Sequence, residues 1–298
     1  MTKILTRDIQ WLYDRVPDME AVLEQFEPFF SSGAFLAGGF LRTAITKGSA
    51  LKALNRNESP GDLDFFFETP DHATKFVHRI VNDQVTLGSI KLNKHQTNYW
   101  ASGPNSMMKY AYDTQFEISN DNTFGKLQLI HAFGGSPQKI LNGFDLANCK
   151  IATDGKQLYI REGWEELEEN KLIHIDDYQD LIPWRIIKYI NKGATKNTPA
   201  LFQLSDESKV GILEYVMNNL STGNFGKLIN PEQRIRALLT HPKHLIRTED
   251  VMFFMGKLGV TTTCSNHFSI GTYTLIEKKM KTKDFAVHVY EQRKKKQN

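Results

Sequence analysis

The sequence predicts an α+β protein: a mixed, largely antiparallel sheet with helices, followed by a mostly helical C-terminal part. Three observations carry this reading. Between residues 86 and 160, short segments with the period-two alternation of strands recur between breaks, as in TLGSIKL, YAYDTQFEIS, KLQLIHAF, NCKIAT and KQLYI. Upstream, GAFLAGGFLRTAI passes from an apolar run through a glycine pair into helical periodicity, which reads as strand, turn, helix. Downstream of Ile160, the apolar residues of ESKVGILEYVMNNL, NPEQRIRALL and EDVMFFMGKLG fall at helical spacings.

Taken in order, the chain opens with Ile9, Leu12, Val16, Met19, Val22, Leu23 and Phe26 at three- and four-residue spacings. Residues 1–30 are therefore expected to be an N-terminal helical segment, broken at Pro17, that packs on a domain at 31–160. Within that domain, SPGDLDFFFETPD is a strand bracketed by Pro60-Gly61 and Thr69-Pro70. A helix with Phe76, Val77 and Ile80 on one side runs from about Asp71 to Asn82, and another is expected near Pro137 to Asn142. Composition shifts after residue 160: residues 161–180 hold eight acidic side chains against two basic ones, and residues 181–199 hold four basic and no acidic ones. A helical domain is placed at 161–290, where Asn230 before Pro231 supplies an N-cap, and the tail at 291–298, RKKKQN included, is a solvated basic end.

No run of about 18 apolar residues is present and the first residues carry charges where a signal peptide would be apolar, so no membrane partner and a cytoplasmic location are expected. Two cysteines, Cys149 and Cys264, are too few for a disulfide framework and read as reduced thiols. A formal net charge of +3 does not by itself mark a nucleic-acid binder, so the distribution of charge matters more than its sum.

The segment SPGDLDFFF poses a chemical question, because burying Asp62 and Asp64 in a strand without compensation is costly. Strand alternation puts Asp62, Asp64 and Phe66 on one face and Leu63, Phe65 and Phe67 on the other. The Cα atoms of the two acids are then about 6.6 Å apart, and their carboxylates can converge on a hard cation. Magnesium suits such a pair, since it takes oxygen ligands and completes its shell with water and phosphate oxygens. The competing reading is an exposed acid pair at a strand start. Upstream, Ala37-Gly38-Gly39 ends a strand and opens a helix, so backbone N–H groups there can approach a phosphate at the positive end of the helix dipole; the competing reading is a glycine turn needed for close packing.

The segments AGGFLR (residues 37–42) and GDLDFF (residues 61–66), in that order, resemble the DNA polymerase beta type nucleotidyltransferase superfamily, most of all its poly(A) polymerase and CCA-adding branch. The motifs cover about residues 34–68. KLQLIHAF, NGFDLANCKIATDG and WRIIKYINKG resemble a divergent virus-type subgroup of it. The resemblance implies a nucleotidyltransferase-like fold and an enzyme that moves a nucleoside monophosphate from an NTP to a hydroxyl, above all an RNA 3′ end such as that of tRNA, and releases pyrophosphate. By it, Gly38 and Gly39 form the phosphate turn, Arg42 contacts phosphate, and Asp62 and Asp64 hold Mg²⁺ or Mn²⁺. Two departures stand out. Thr43 replaces the acid that follows the Arg in CCA-adding enzymes. Gln128, at the centre of LQLIH, stands where a third, proton-accepting acid is expected, and an amide cannot take that proton. Asp145 and Asp113 are the candidate substitutes, Asp145 being preferred for its apolar flanks; the alternative for Asp145 is a turn cap.

At about 100° per residue, Arg185, Lys188 and Lys192 share one arc of a helix and Ile186, Ile187 and Ile190 the opposite one. The resemblance assigns the basic arc to triphosphate or RNA contact, and a solvated helix face is the alternative. Residues 232–236, EQRIR, echo a base-reading segment of CCA-adding enzymes but equally form a capped helix start. His241, His244, Cys264 and His267 offer four zinc ligands at spacings that chance also yields. No P-loop, GxGxxG or GxSxG pattern occurs. Two further functions fit the same residues: a catalytically degenerate relative that binds nucleotide or RNA in a structural or regulatory role, and a toxin-like enzyme modifying tRNA or protein.

Overall fold

The computed structural model describes residues 2–54, 62–69, 71–73, 75–76, 90–92, 98–100, 111–118, 123–178, 183–190, 192, 201–220, 251, 269–270 and 273–274. The chain divides into two compact units, Met1–Glu165 and Glu166–Asn298. It is a mixed α+β protein, as its alternation and glycine punctuation predict.

The first unit is built on a nine-stranded sheet. In chain order the strands are β1 (Ile4–Asp8), β2 (Ala34–Ala37), β3 (Leu63–Phe67), β4 (Ile90–Leu92), β5 (Asn98–Trp100), β6 (Ala111–Ile118), β7 (Thr123–Gly134), β8 (Ile151–Thr153) and β9 (Gln157–Arg161). Across the sheet they run β1-β9-β8-β2-β3-β7-β6-β4, with β5 also paired to β6 beside β4. β3 and β7 pair in parallel. The other pairings of this sheet are antiparallel. Helices α1 (Gln10–Arg15), α2 (Met19–Glu24), α3 (Glu27–Phe30), α4 (Gly39–Lys47), α5 (Ala50–Leu54) and α6 (Pro137–Asn142) complete it, with a 3₁₀ turn at Ala147–Cys149. α6 falls where the sequence places it: Ser136 accepts the Lys139 N–H as N-cap, and Pro137 occupies the first turn, where its missing N–H costs nothing.

Alternation sorts β3 as expected. Leu63, Phe65 and Phe67 are fully buried and join Leu36, Leu127 and Leu129 in a core shared with Leu12, Met19, Phe26, Phe29, Phe40 and Leu54 of the helices. Phe29 stacks on Phe65 at 4.6 Å between ring centroids, which fixes α3 against the strand. The opposite face carries Phe35 and Phe66, stacked at 5.9 Å, with Phe144 tilted against Phe66 at 5.7 Å. The sheet is thus buried on both sides at its centre.

In the first unit, the start of the chain differs from the sequence reading. Residues Ile4–Asp8 are an edge strand, so the N-terminal segment is not helical throughout. Its register with β9 runs from Ile4 opposite Arg161 to Asp8 opposite Gln157. The strand was hidden because the helical spacing that begins at Ile9 drew the boundary, while ILTRD has the alternation of a half-exposed edge. Of the helix predicted at 71–82, residues 71–73 and 75–76 are helical, and the remainder lies outside the described residues.

In the second unit, α8 (Pro183–Ile190) and α9 (Asp206–Leu220) accompany short strands, β10 (Leu172–Ile173) paired in parallel with β11 (Gln203–Leu204), and β12 (Ser269–Ile270) paired with β13 (Tyr273–Thr274). Strand content is thus present in a region expected to be mostly helical. Helix α7 (Trp164–Glu169) begins at the boundary of the two units. Among the described residues no helix is long and apolar enough to cross a membrane.

Candidate functional site

The end of β2, the turn into α4 and the start of β3 form one edge of the first unit. β2 and β3 are antiparallel, so the last residue of one meets the beginning of the other: Ala37 pairs with Asp64. Gly38 follows Ala37 at φ 89° and ψ −135° and caps α4. A side chain at Gly38 would meet only Phe144 Cε2, at an ordinary 3.6 Å, so backbone conformation rather than space demands glycine here. Gly38 donates its N–H to Ile151 O at 2.8 Å, which ties the turn to β8. That amide is therefore spent on the sheet, and the first-turn donors of α4 belong to Gly39 and the residues after it.

Asp64 is half-buried on the face opposite the helical core, and Asp62 directly precedes β3 and is also half-buried. The structure thus brings Asp62 and Asp64 beside the Gly38-Gly39 turn. Beyond Asp64 the rung continues in register through Gln128 on β7 to Asp113 on β6. Gln128 is 3% exposed. Among the described residues, no three His, Cys, Asp or Glu side chains are grouped as a cation cage requires. Two carboxylates still fit magnesium, which commonly takes one or two from protein and the rest of its octahedron from water and phosphate.

The remaining predicted residues sit as follows. Arg42 is buried, 2% exposed, in the first turn of α4, where its N–H is donated to Gly38 O at 3.3 Å. Thr43 donates its hydroxyl to Gly39 O at 2.7 Å, a bond within its own helix. Asp145 lies on a bend between α6 and the 3₁₀ turn, not on a strand edge, and its Oδ1 accepts the Leu146 N–H at 2.9 Å. Of Asp113 the structure describes the backbone register only. Arg185, Lys188 and Lys192 belong to the second unit, where Ile186, Ile187 and Ile190 are buried and Arg185 and Lys188 half-buried, as the helical arcs predict. His241, His244, Cys264, His267, the 232–236 segment and the basic tail lie outside the described residues, and Cys149 is a buried free thiol.

Sequence reasoning missed two arrangements. Asp18 closes the start of α5: its carboxylate accepts the Ser49 hydroxyl at 2.7 Å and the amides of Ala50 and Leu51 at 2.7 and 3.1 Å. Burial opposes its ionisation, yet these hydrogen bonds outweigh that and hold its carboxyl below the usual range. The second is the β8–β9 hairpin, where Asp154 accepts the Lys156 and Gln157 amides and the Tyr159 hydroxyl. An Asp-Gly between two strands is its sequence signal.

In the second unit, His174 Nδ1 lies 2.8 Å from Ser205 Oγ, and Ser205 Oγ donates to Ser208 Oγ at 3.0 Å. Both serines are buried at the start of α9, and Ser205 accepts the Ser208 N–H as a helix cap. The group is a clasp that ties the start of α9 to the segment after β10, where Ser208 Oγ also accepts the Ile175 N–H at 2.9 Å.

Residues 7–169, more than half of the chain, match the model of a family described as Gabija anti-defense 2 family protein. No curated protein matches the chain. The family match overturns the likeness to poly(A) polymerases and CCA-adding enzymes, because the family matched is not one of theirs. Transfer of a nucleoside monophosphate to an RNA 3′ end falls with it, and the degenerate and toxin-like variants of that likeness gain no support. The likeness rested on two short motifs, and a glycine turn beside an acid pair is a local geometry that does not by itself specify an activity.

Proposed function

Because the chain belongs to the Gabija anti-defense 2 family, we propose that it is an anti-defence protein that counters Gabija defence within the cytoplasm. The observation that carries this is the extent of the match, which runs from β1 past β9 and takes in the whole Gly38–Asp64 edge. The proposal includes a role for that edge: it binds a magnesium or manganese ion together with the phosphates of a nucleoside triphosphate. Asp62 and Asp64 would hold the cation, and the amides at the mouth of α4 would receive a phosphate oxygen. Support comes from the register of Asp64 with Ala37, from the glycine conformation at Gly38, and from a pair of carboxylates that needs further oxygen ligands to complete a magnesium shell.

The test is made in bacterial cells protected by Gabija defence and challenged with a virus that the defence blocks. Expression of the protein is expected to restore viral growth, and unchanged protection would refute the anti-defence reading. The role of the edge is tested separately by titrating purified protein with each nucleoside triphosphate, with and without magnesium. Binding independent of the metal would refute the cation role while leaving the anti-defence reading standing.

A further inference from the structure

In the second unit, Ile173 and Ile175 are buried, so the alternation that begins in β10 turns His174 and Asp176 together to the other side of the segment. There His174 Nδ1 lies 2.8 Å from Ser205 Oγ and 3.4 Å from Ser208 Oγ, while Nε2 lies 3.6 Å from Asp176 Oδ1. The Asp176 side chain is 5% exposed and that of His174 21%, so a carboxylate nearly withdrawn from water has a ring nitrogen beside it. Beyond Ser208 the cluster ends at Tyr178, whose hydroxyl shares a hydrogen bond with Ser208 and whose ring lies on Gly211, where a Cβ would come within 2.4 Å of it. Burial holds the Tyr178 hydroxyl above its ordinary range, so this end of the cluster stays protonated.

Proton count decides which form of the ring suits these neighbours. The Ser205 hydroxyl has one proton and donates it to Ser208 Oγ at 3.0 Å, so the contact of Ser205 with His174 needs a proton on Nδ1. Nε2 faces a carboxylate and needs one as well. Only the imidazolium carries both. A neutral ring with its proton on Nε2 forces the Ser205 hydroxyl to swing from Ser208 to Nδ1, and a charge-assisted bond becomes a neutral one of about half the strength. Ser208 Oγ, which joins α9 to the segment by accepting the Ile175 N–H, loses a donor at the same step. Among the described residues, the other charges on the elements around the ring are few. Lys171 and Asp177 flank it on its own segment, Lys209 of α9 is spent on Asp206 at 2.9 Å, and Glu207 and Glu214 of α9 act on Tyr178. Helix α8, which packs on β10, adds the half-buried Arg185 and Lys188.

We propose that this cluster is a pH-sensitive latch: protonated His174 donates from Nδ1 to Ser205 and faces Asp176 through Nε2, and loss of its proton reverses the Ser205 hydroxyl and loosens α9 from the β10 segment. Because the charged ring gains its partners in the folded state, the stabilisation is present at low pH and is lost as pH rises through the folded-state titration of His174. The latch lies within the second unit and does not depend on the reading given to the Gly38–Asp64 edge.

Nitrogen-15 NMR of the full chain labelled at histidine, followed from about pH 5 to 8, tests it, with the His174 signals assigned by their loss in His174→Gln. Both ring nitrogens should carry protons at the acid end, and the neutral ring should keep its proton on Nε2 with Nδ1 as acceptor. Over the same step, protection of the Ile175 amide from hydrogen exchange, corrected for the intrinsic effect of pH, should fall by about threefold to tenfold. His174→Gln, which cannot titrate, should abolish that step, and Asp176→Asn should move it to lower pH by removing the negative charge beside Nε2. A purely structural clasp would show no step in either protein. A ring that stays neutral throughout the range, or an Ile175 protection that follows the same pH course in His174→Gln as in the wild type, would overturn the proposal.

Discussion

Asp64 of β3 lies beside Gln128 of β7 in parallel register, and Gln128 is buried. Where a third carboxylate would add to the negative charge of Asp62 and Asp64, the sheet presents an amide. The neutral Gln128 thus stands between Asp64 and Asp113 in the rung.

Asp64→Asn is therefore expected to abolish the magnesium dependence of nucleotide binding and to remove the anti-defence effect in cells, while leaving the fold intact because the side chain is half-buried and isosteric. Calorimetry with and without magnesium, beside circular dichroism of the variant, checks both halves. Wild-type metal dependence in the variant would end the cation role of this edge.

Gln128→Glu should act in the other direction on the cation and against the fold. A carboxylate in this buried position beside Asp64 loses hydration and meets a like charge, so stability at neutral pH should fall by about 1–3 kcal/mol. Added magnesium should return part of that loss by binding the folded state. Urea unfolding of the variant with and without magnesium measures the two terms.

Gly38→Ala should destabilise by about 1–3 kcal/mol, since φ 89° with ψ −135° is strained for any residue with a Cβ. Gly39→Ala, inside α4, should be neutral or slightly stabilising, since alanine is favoured over glycine in a helix. Paired denaturant titrations decide the matter: equal effects at the two positions would mean that the turn is not what requires glycine.

Much of this was legible from spacing. GAFLAGG announces a strand and its turn because a short apolar run followed by paired glycines leaves few other options, and the alternation of LDFFF assigned each side chain of β3 to the correct face. Other features depend on partners remote in sequence. That Asp64 would neighbour Gln128 follows from the parallel pairing of β3 with β7 across more than fifty intervening residues, and no local pattern encodes that register. The burial of Arg42 is of the same kind, since what packs over a side chain four residues into α4 is set by the tertiary fold and not by the local pattern. The resemblance failed at a third level, since two motifs specify a local geometry and not the activity built upon it.

Asp18→Ala should cost about 1–2 kcal/mol, because it strips α5 of the carboxylate that receives Ser49, Ala50 and Leu51. The carboxyl is held below its ordinary value in the folded state, so its contribution is present above the unfolded pKa and lost as pH falls through the folded one. Wild-type stability should thus decline more steeply in acid than that of the variant, and denaturant midpoints across the acid range measure the difference.

Tyr159 has the opposite sign. Its hydroxyl is pushed up from 10 to about 12, so the stabilisation it brings is complete below 10 and fades as pH rises through about 12. Ultraviolet titration should show Tyr159 ionising later than the exposed tyrosines, as Tyr13 and Tyr178 also should, since burial raises them too. Asp154→Asn should bring that midpoint down by removing a neighbouring negative charge, and an unmoved midpoint would mean that burial and the charge of Glu68 set it.

In the second unit, Ser208→Ala tests whether the clasp holds α9 to the strand before it. The Ser208 hydroxyl is fully buried, accepts the Ile175 N–H at 2.9 Å and receives the Ser205 hydroxyl at 3.0 Å. Removing it leaves a buried amide and a buried hydroxyl without this partner, a loss of about 1–3 kcal/mol. Hydrogen exchange at the Ile175 amide should accelerate while exchange at the Gly38 amide, in the other unit, stays unchanged. Exchange at Ile175 equal to that of the wild type would show that the hydroxyl is not what protects it, and would leave the apolar packing of Ile173, Ile175 and Ile212 as the element holding this part of the chain together.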